Sequence, residues 1–122
     1  MNPDSQIVFI DDQKDMHMIA NLAFKKAGFN NVQLFSSGKD ALAQIKNKKP
    51  ELVITDFNMP EMDGIAVLNA VKNIDASILV FILSGDNNES FVNNLIKNGA
   101  DKVLDKNKGL REVIMDLKNK VN

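Results

Sequence analysis

Ile7-Val8-Phe9-Ile10-Asp11-Asp12 and Leu52-Val53-Ile54-Thr55-Asp56 share one grammar: a short apolar run that stops at a carboxylate. Two more runs behave alike, Ile78 to Leu83 ending at Ser84, and Val103 with Leu104 followed by Lys106. Apolarity that is continuous rather than alternating means that both faces of a strand are covered, as in a parallel sheet between helix layers. If these runs are neighbouring parallel strands, three acids, a hydroxyl and an amine converge on one sheet edge.

The segments between the runs read as helices. Asp15 to Ala27 places Ile19, Leu22, Ala23 and Lys26 at helical spacing and stops at Gly28. After a short β-prone stretch, Val32 to Phe35, Ser37 with Asp40 forms a capping-box pattern opening a helix that carries Ala41, Leu42 and Ile45. Lys46 to Lys49 and Pro50 close it. Asp63 caps the next helix, with Ile65, Leu68 and Val71 as its buried side. Phe91, Val92, Leu95 and Ile96 mark another, stopped at Gly99, and Leu110, Val113, Ile114, Leu117 and Val121 form the stripe of the last. The pattern is (βα)5, too short for a barrel of about eight such units, and right-handed crossovers favour a doubly wound open sheet. Ligands of such sheets bind beyond the carboxyl ends of the strands, where the polar residues above fall.

Composition bounds the function. A chain of 122 residues with 44% hydrophobic and 25% charged residues is an ordinary globular domain, read here as one domain over 1–122 with a core from about 5 to 121. A net charge of -1 offers no electrostatic case for nucleic acid. There is no cysteine for a disulfide or a thiol site. The N-terminus lacks the basic and apolar regions of a secretion signal, and no run reaches membrane-spanning length, so a cytoplasmic protein without membrane contact is expected.

Adjacent Asp11 and Asp12 plus Asp56 from another strand would make an oxygen-rich site that is costly to keep ionised without a cation. Hard oxygen ligands suit Mg2+ or Mn2+; with no cysteine and a single histidine, His17, zinc is a poor fit. Lys106 and Ser84 would suit an anionic phosphoryl group, and a carboxylate can itself accept phosphate. Taken singly, each residue has a plainer reading. An aspartate after a strand is often a cap, Ser84-Gly85 a turn, Lys106 a surface lysine, Lys46 to Lys49 a solvated helix end, and Met59 with Met62 loop packing. His17 is given no role. The joint placement on successive strand ends is the informative part.

These residues carry a resemblance over nearly the whole chain to the receiver domains of two-component response regulators, in Asp11-Asp12, in Asp56-Phe57-Asn58-Met59-Pro60-Glu61-Met62-Asp63-Gly64, in Ser84-Gly85 and in Lys106, in order. With no output domain expected, the chain is similar to the single-domain, chemotaxis-type regulators. The resemblance implies the flavodoxin-like strand order 2-1-3-4-5. It implies that Asp56 takes a phosphoryl group from a histidine of a sensor kinase or phosphotransfer protein. Mg2+, or Mn2+, would be held by Asp11, Asp12, Asp56 and the backbone carbonyl of Asn58, with Asp11 acting mainly through water. Lys106 and Ser84 would contact the phosphoryl oxygens. The family also hydrolyses its own aspartyl phosphate, at rates shaped by the positions of Asn58 and Asp86. By analogy the output surface, for an unidentified protein target, is Phe91 to Lys97, Val103 and Leu110 to Leu117.

Two positions depart from the family pattern. Val103 stands where an aromatic residue usually rotates inward, so a rotating ring is unavailable. Asn107 follows the lysine where proline is usual, and a cis bond there would cost roughly 3 kcal/mol without proline. A rebuilt loop from Asp105 to Lys108, with Lys106 still reaching the acids, is expected. Two other classes remain as alternatives. A Mg2+-dependent phosphatase with an Asp nucleophile usually has a second acid where Asn58 stands, together with a cap domain. A phosphorylation-independent scaffold would fit the two departures but not the complete set of acids.

Overall fold

In the computed structural model, which describes residues 1–119, five strands and five helices alternate. The strands are β1 Gln6–Ile10, β2 Asn31–Phe35, β3 Leu52–Asp56, β4 Leu79–Ser84 and β5 Lys102–Asp105. The helices are α1 Lys14–Lys26, α2 Gly38–Asn47, α3 Gly64–Ile74, α4 Glu89–Lys97 and α5 Leu110–Asn119. All strand pairs are parallel, in the order β2-β1-β3-β4-β5, as expected for the doubly wound sheet.

The uninterrupted apolarity of β1 and β3 has a direct cause. Ile7, Phe9, Leu52 and Ile54 enter one core with Phe24, Ile114 and Leu117 from α1 and α5. Val8, Ile10 and Val53 enter the other with Ile45, Leu68, Val71 and Leu95 from α2, α3 and α4. Successive side chains on a strand point to opposite faces, so a strand buried on both sides must be apolar at every position. Strand order reverses between β1 and β3, which opens a crevice at their carboxyl ends.

Local chemistry starts and stops the helices. The Ser37 hydroxyl accepts the Asp40 N–H at 3.1 Å to open α2, and the Asp63 carboxylate accepts the Ala66 N–H at 2.9 Å to open α3. Beyond α1 and α4, Gly28 and Gly99 take φ of +90° and +112°, a region that disfavours residues with a Cβ. In α3 the buried side is Val67, Leu68 and Val71, with Ile65 only partly covered. Leu110, Val113, Ile114 and Leu117 of α5 are buried as expected, while Val121 lies outside the described residues.

The stripe expected on α1 is turned. Ala20, Ala23, Phe24 and Ala27 are buried, whereas Leu22 is 64% exposed and Ile19 46%. The buried set also runs at i, i+3, i+4, i+7, about one residue round from the expected one. It brings three small residues against the sheet and α5 and seats Phe24, whose ring meets Phe9 and Phe29 edge-on at 6.1 and 6.0 Å. Close helix approach decides the rotation, since alanines allow contact that Leu22 would block. Leu22→Ser is therefore expected to change unfolding free energy by less than about 0.5 kcal/mol. Ala20→Leu, which overfills a packed contact, should cost about 1–3 kcal/mol in denaturant titration.

Candidate functional site

Asp11 follows directly on β1 and Asp56 ends β3, so pairing of those two strands brings the two carboxylates to the crevice. Backbone bonds continue past the strand ends, from Asp11 N–H to Phe35 O at 3.0 Å and from Phe57 N–H to Leu83 O at 2.9 Å. One carboxylate oxygen from each of Asp11, Asp12 and Asp56 lies within 4.8 Å of the others. Asp11 and Asp56 are buried, at 0% and 4% exposure, while Asp12 faces solvent.

Lys106 reaches them from the far end of β5. Its Nζ lies 3.1 Å from Asp56 Oδ1 and 3.8 Å from Asp11 Oδ2. Asp11 Oδ1 accepts the Gln13 N–H at 2.9 Å, but Asp11 Oδ2 is buried without a hydrogen bond among the described residues. One lysine thus faces two buried acids, with the Asp12 carboxylate beside them. Burial pushes the Asp11 carboxyl above its ordinary value of 3.8, against the lowering effect of the Gln13 N–H, and the negative Asp56 adds to the rise. The donor set is all oxygen, compact and short of positive charge, which fits a hard divalent cation of the Mg2+ or Mn2+ kind.

The sign of the pH effect follows. A carboxyl whose folded pKa is raised binds its proton more tightly in the native state than in the unfolded chain. The Asp11 contribution to stability is fully present below about pH 4 and is lost as pH rises through the raised folded value. Above that folded value the ionised, partly unpaired carboxylate is a destabilising element. Asp11→Asn, which retains the oxygen for Gln13, is expected to raise the thermal midpoint in EDTA by a few degrees. Mg2+ at ten times its Kd should stabilise the wild type by about 1.4 kcal/mol and the variant by less, in calorimetry.

Ser84 ends β4, 2% exposed, and its hydroxyl is engaged by its own loop: it accepts the Asp86 N–H and donates to the Asp86 carbonyl, both at 3.0 Å. Asn58 is exposed in the loop after Asp56. That loop is clamped on both sides. Gly64 N–H donates to Phe57 O at 2.8 Å, and a Cβ on Gly64 would come within 2.9 Å of the Phe57 Cα, so only glycine fits without backbone movement. The Phe57 ring meets Phe91 of α4 edge-on at 4.9 Å. Met62 packs against the α2 N-terminus, where a Cβ on Gly38 would lie 2.8 Å from its sulfur.

The loop after β5 keeps Lys106 within reach of the acids, as expected. The described chain has no cis peptide bond, so Lys106–Asn107 is trans, and Lys106–Lys108 form a 3-10 turn. The Asn107 N–H within it donates to Asp105 Oδ1 at 2.9 Å. Val103 is half-buried against the α4-side core.

Three side chains to which the sequence assigned no contact take part in this framework. His17 Nε2 bonds the Asp11 carbonyl oxygen and must donate, because a carbonyl only accepts; its position near the start of α1 was the available signal. Thr55 donates its hydroxyl to the Asp56 carbonyl at 3.0 Å. Asn107 donates its side-chain amide to the Gly85 carbonyl at 3.0 Å.

Fold and site together define an α/β module with an acid cluster and a lysine at the carboxyl edge of a parallel sheet. The family model of the response regulator receiver domain matches residues 7–118, and the chain belongs to that family, whose members act in two-component signalling. It is 36% identical over 95 residues to chemotaxis protein CheY of Bacillus subtilis, covering 78% of this chain and 79% of that protein. It is 27% identical to a putative transcriptional regulator of Pseudomonas aeruginosa over 93% of this chain, and spans about half of that protein's length, 55%. CheY4 of Vibrio cholerae superposes with a TM-score of 0.86 at 21% identity, over 98% of this chain and 99% of that one. The CheX-CheY-BeF3-Mg2+ complex of Borrelia burgdorferi contains a chain that superposes with a TM-score of 0.78 at 25% identity, over 93% and 89%. The family binds Mg2+ through acidic residues. No described helix is long and apolar enough to cross a membrane.

Proposed function

We propose that this chain is a cytoplasmic phosphorylation switch whose Asp56 takes a phosphoryl group from a histidine of a sensor kinase or phosphotransfer protein. The observation that carries this reading is the buried Asp56 carboxylate, 3.1 Å from Lys106 and beside the Asp11 oxygen that accepts no hydrogen bond among the described residues. A nucleophile, a mobile countercharge and an unmet demand for a cation stand together.

Asp11, Asp12 and Asp56, with the backbone carbonyl of Asn58, would hold Mg2+, which when bound would supply positive charge against the phosphoryl oxygens. An Asp56 oxygen attacks phosphorus, the phosphorus–nitrogen bond of the donor breaks, and the histidine leaves. Lys106 then pairs with a phosphoryl oxygen in place of the Asp56 oxygen it contacts in this structure. The Ser84 hydroxyl exchanges its Asp86 carbonyl for another phosphoryl oxygen, which shifts the loop after β4. Water later hydrolyses the acyl phosphate, with Asn58 and Asp86 flanking its approach. The surface of α4, β5 and α5 reads out the state to a protein target, with Ile96 and Met115 as its exposed apolar residues.

The test is incubation with Mg2+ and a small phosphodonor such as acetyl phosphate, followed by intact mass measurement with and without EDTA. A Mg2+-dependent, acid-labile adduct on the wild type is expected. No adduct would replace this reading with the scaffold, and turnover of an external phosphomonoester would replace it with a phosphatase.

A further inference from the structure

The Asn107 amide spans two loops that carry different parts of the site. The β4–β5 ladder ends with Ser84 opposite Asp105. Past that rung the strands have no further pairing, and the loops they enter hold the Ser84 hydroxyl and the Lys106 amine. Asn107 Nδ2 donates to the Gly85 carbonyl at 3.0 Å, which adds one cross-link beyond the end of the sheet. Its own backbone is set by Asp105, whose Oδ1 accepts the Asn107 N–H at 2.9 Å. A proline at this position would lack both donors.

We infer that Asn107 is a positioning residue that couples the Lys106 loop to the Ser84 loop, so that the two groups facing a phosphoryl group at Asp56 shift together. The inference rests on the reading of Asp56 as phosphoacceptor. Lys106 and Asn107 are neighbours in one tight turn, and Ser84 and Gly85 are neighbours in the other. A pull on the lysine by phosphoryl oxygens therefore reaches the Gly85 carbonyl through a single side chain. From there it acts on the turn that occupies the Ser84 hydroxyl with Asp86. The bond is solvent-exposed, so its contribution lies in geometry rather than in overall stability.

The experiment compares wild type with Asn107→Ala, Asn107→Asp and Asn107→Gln. Alanine has no donor, aspartate places an acceptor against the Gly85 carbonyl, and glutamine restores the amide. Amide resonances are followed by NMR during titration with beryllofluoride and Mg2+, alongside the rate of adduct formation with acetyl phosphate and thermal melting. In Ala and Asp the Lys106–Lys108 resonances are expected to shift as in wild type, while the shift at the Gly85–Asp86 peptide, whose carbonyl Asn107 holds, is smaller than in wild type. The rate should fall roughly five-fold, the size of one ordinary hydrogen bond, with thermal midpoints unchanged and Gln close to wild type. Ala and Asp variants matching wild type in rate and in the spread of shifts would overturn the coupling alone. A wild type that forms no adduct would overturn the phosphoacceptor reading, and this inference with it.

Discussion

Asp56→Asn is expected to leave the fold intact and to reduce the acid-labile adduct to background. Asparagine has nearly the same shape, and its amide carbonyl can still face the Lys106 ammonium that sits 3.1 Å from Oδ1. On the proposed reading, an amide nitrogen in place of the second carboxylate oxygen removes the nucleophile, and the neighbouring buried hydroxyls are engaged elsewhere. Thr55 directs its hydroxyl to the Asp56 carbonyl, and Ser84 is occupied by Asp86. Asp11 and Asp12 remain, so weakened Mg2+ binding alone would slow the reaction without changing the site that is labelled. The same variant lowers the density of negative charge beside buried Asp11, so its melting point in EDTA should rise rather than fall. Peptide mapping of the adduct decides the matter: label found on another residue in wild type, or persisting in the variant, would refute the assignment of Asp56.

Phe9→Ala should cost about 3–5 kcal/mol, the range for deleting a large aromatic side chain from a packed core. Phe9 is wholly buried in β1, an interior strand, where it meets Phe24 edge-on at 6.1 Å and His17 at 6.4 Å. For a domain of this size the thermal midpoint should fall by roughly 10–20 °C. The cavity opens beneath the residue that bonds the Asp11 carbonyl, so affinity for Mg2+ should fall as well, in calorimetric titration below the new midpoint. A loss of less than 1 kcal/mol, or unchanged Mg2+ affinity, would show that the two faces of β1 relax independently of its carboxyl end.

Much of this was legible beforehand because the signals are local. Runs such as Val8-Phe9-Ile10 and Val53-Ile54 announce strands buried on both faces, and Ser37 and Asp63 announce helix starts through hydrogen bonds within a few residues. The acids were legible for the same reason, since each ends a run whose direction is set by its own residues. Less local features were missed. On α1 two stripes compete at nearly the same spacing, and only packing against the sheet and α5 selects Ala20, Ala23 and Phe24 over Ile19 and Leu22. The side chains of His17 and Asn107 bond backbone carbonyls of other segments, which no spacing rule reports.

Sequence alone determined the class of fold and the set of chemical groups, because strand burial, helix capping and the carboxylates at strand ends depend on neighbouring residues. It also determined that the loop after β5 would be unusual, since asparagine in place of proline changes both the dihedral restriction and the donors available. Only the tertiary structure decided how those groups face one another. It set Lys106 between Asp56 and Asp11, left one Asp11 oxygen buried without a hydrogen bond, and turned the Ser84 hydroxyl onto its own loop. These are contacts between segments far apart in the chain, fixed by the register of four strand pairs and by which helix face the core accepts.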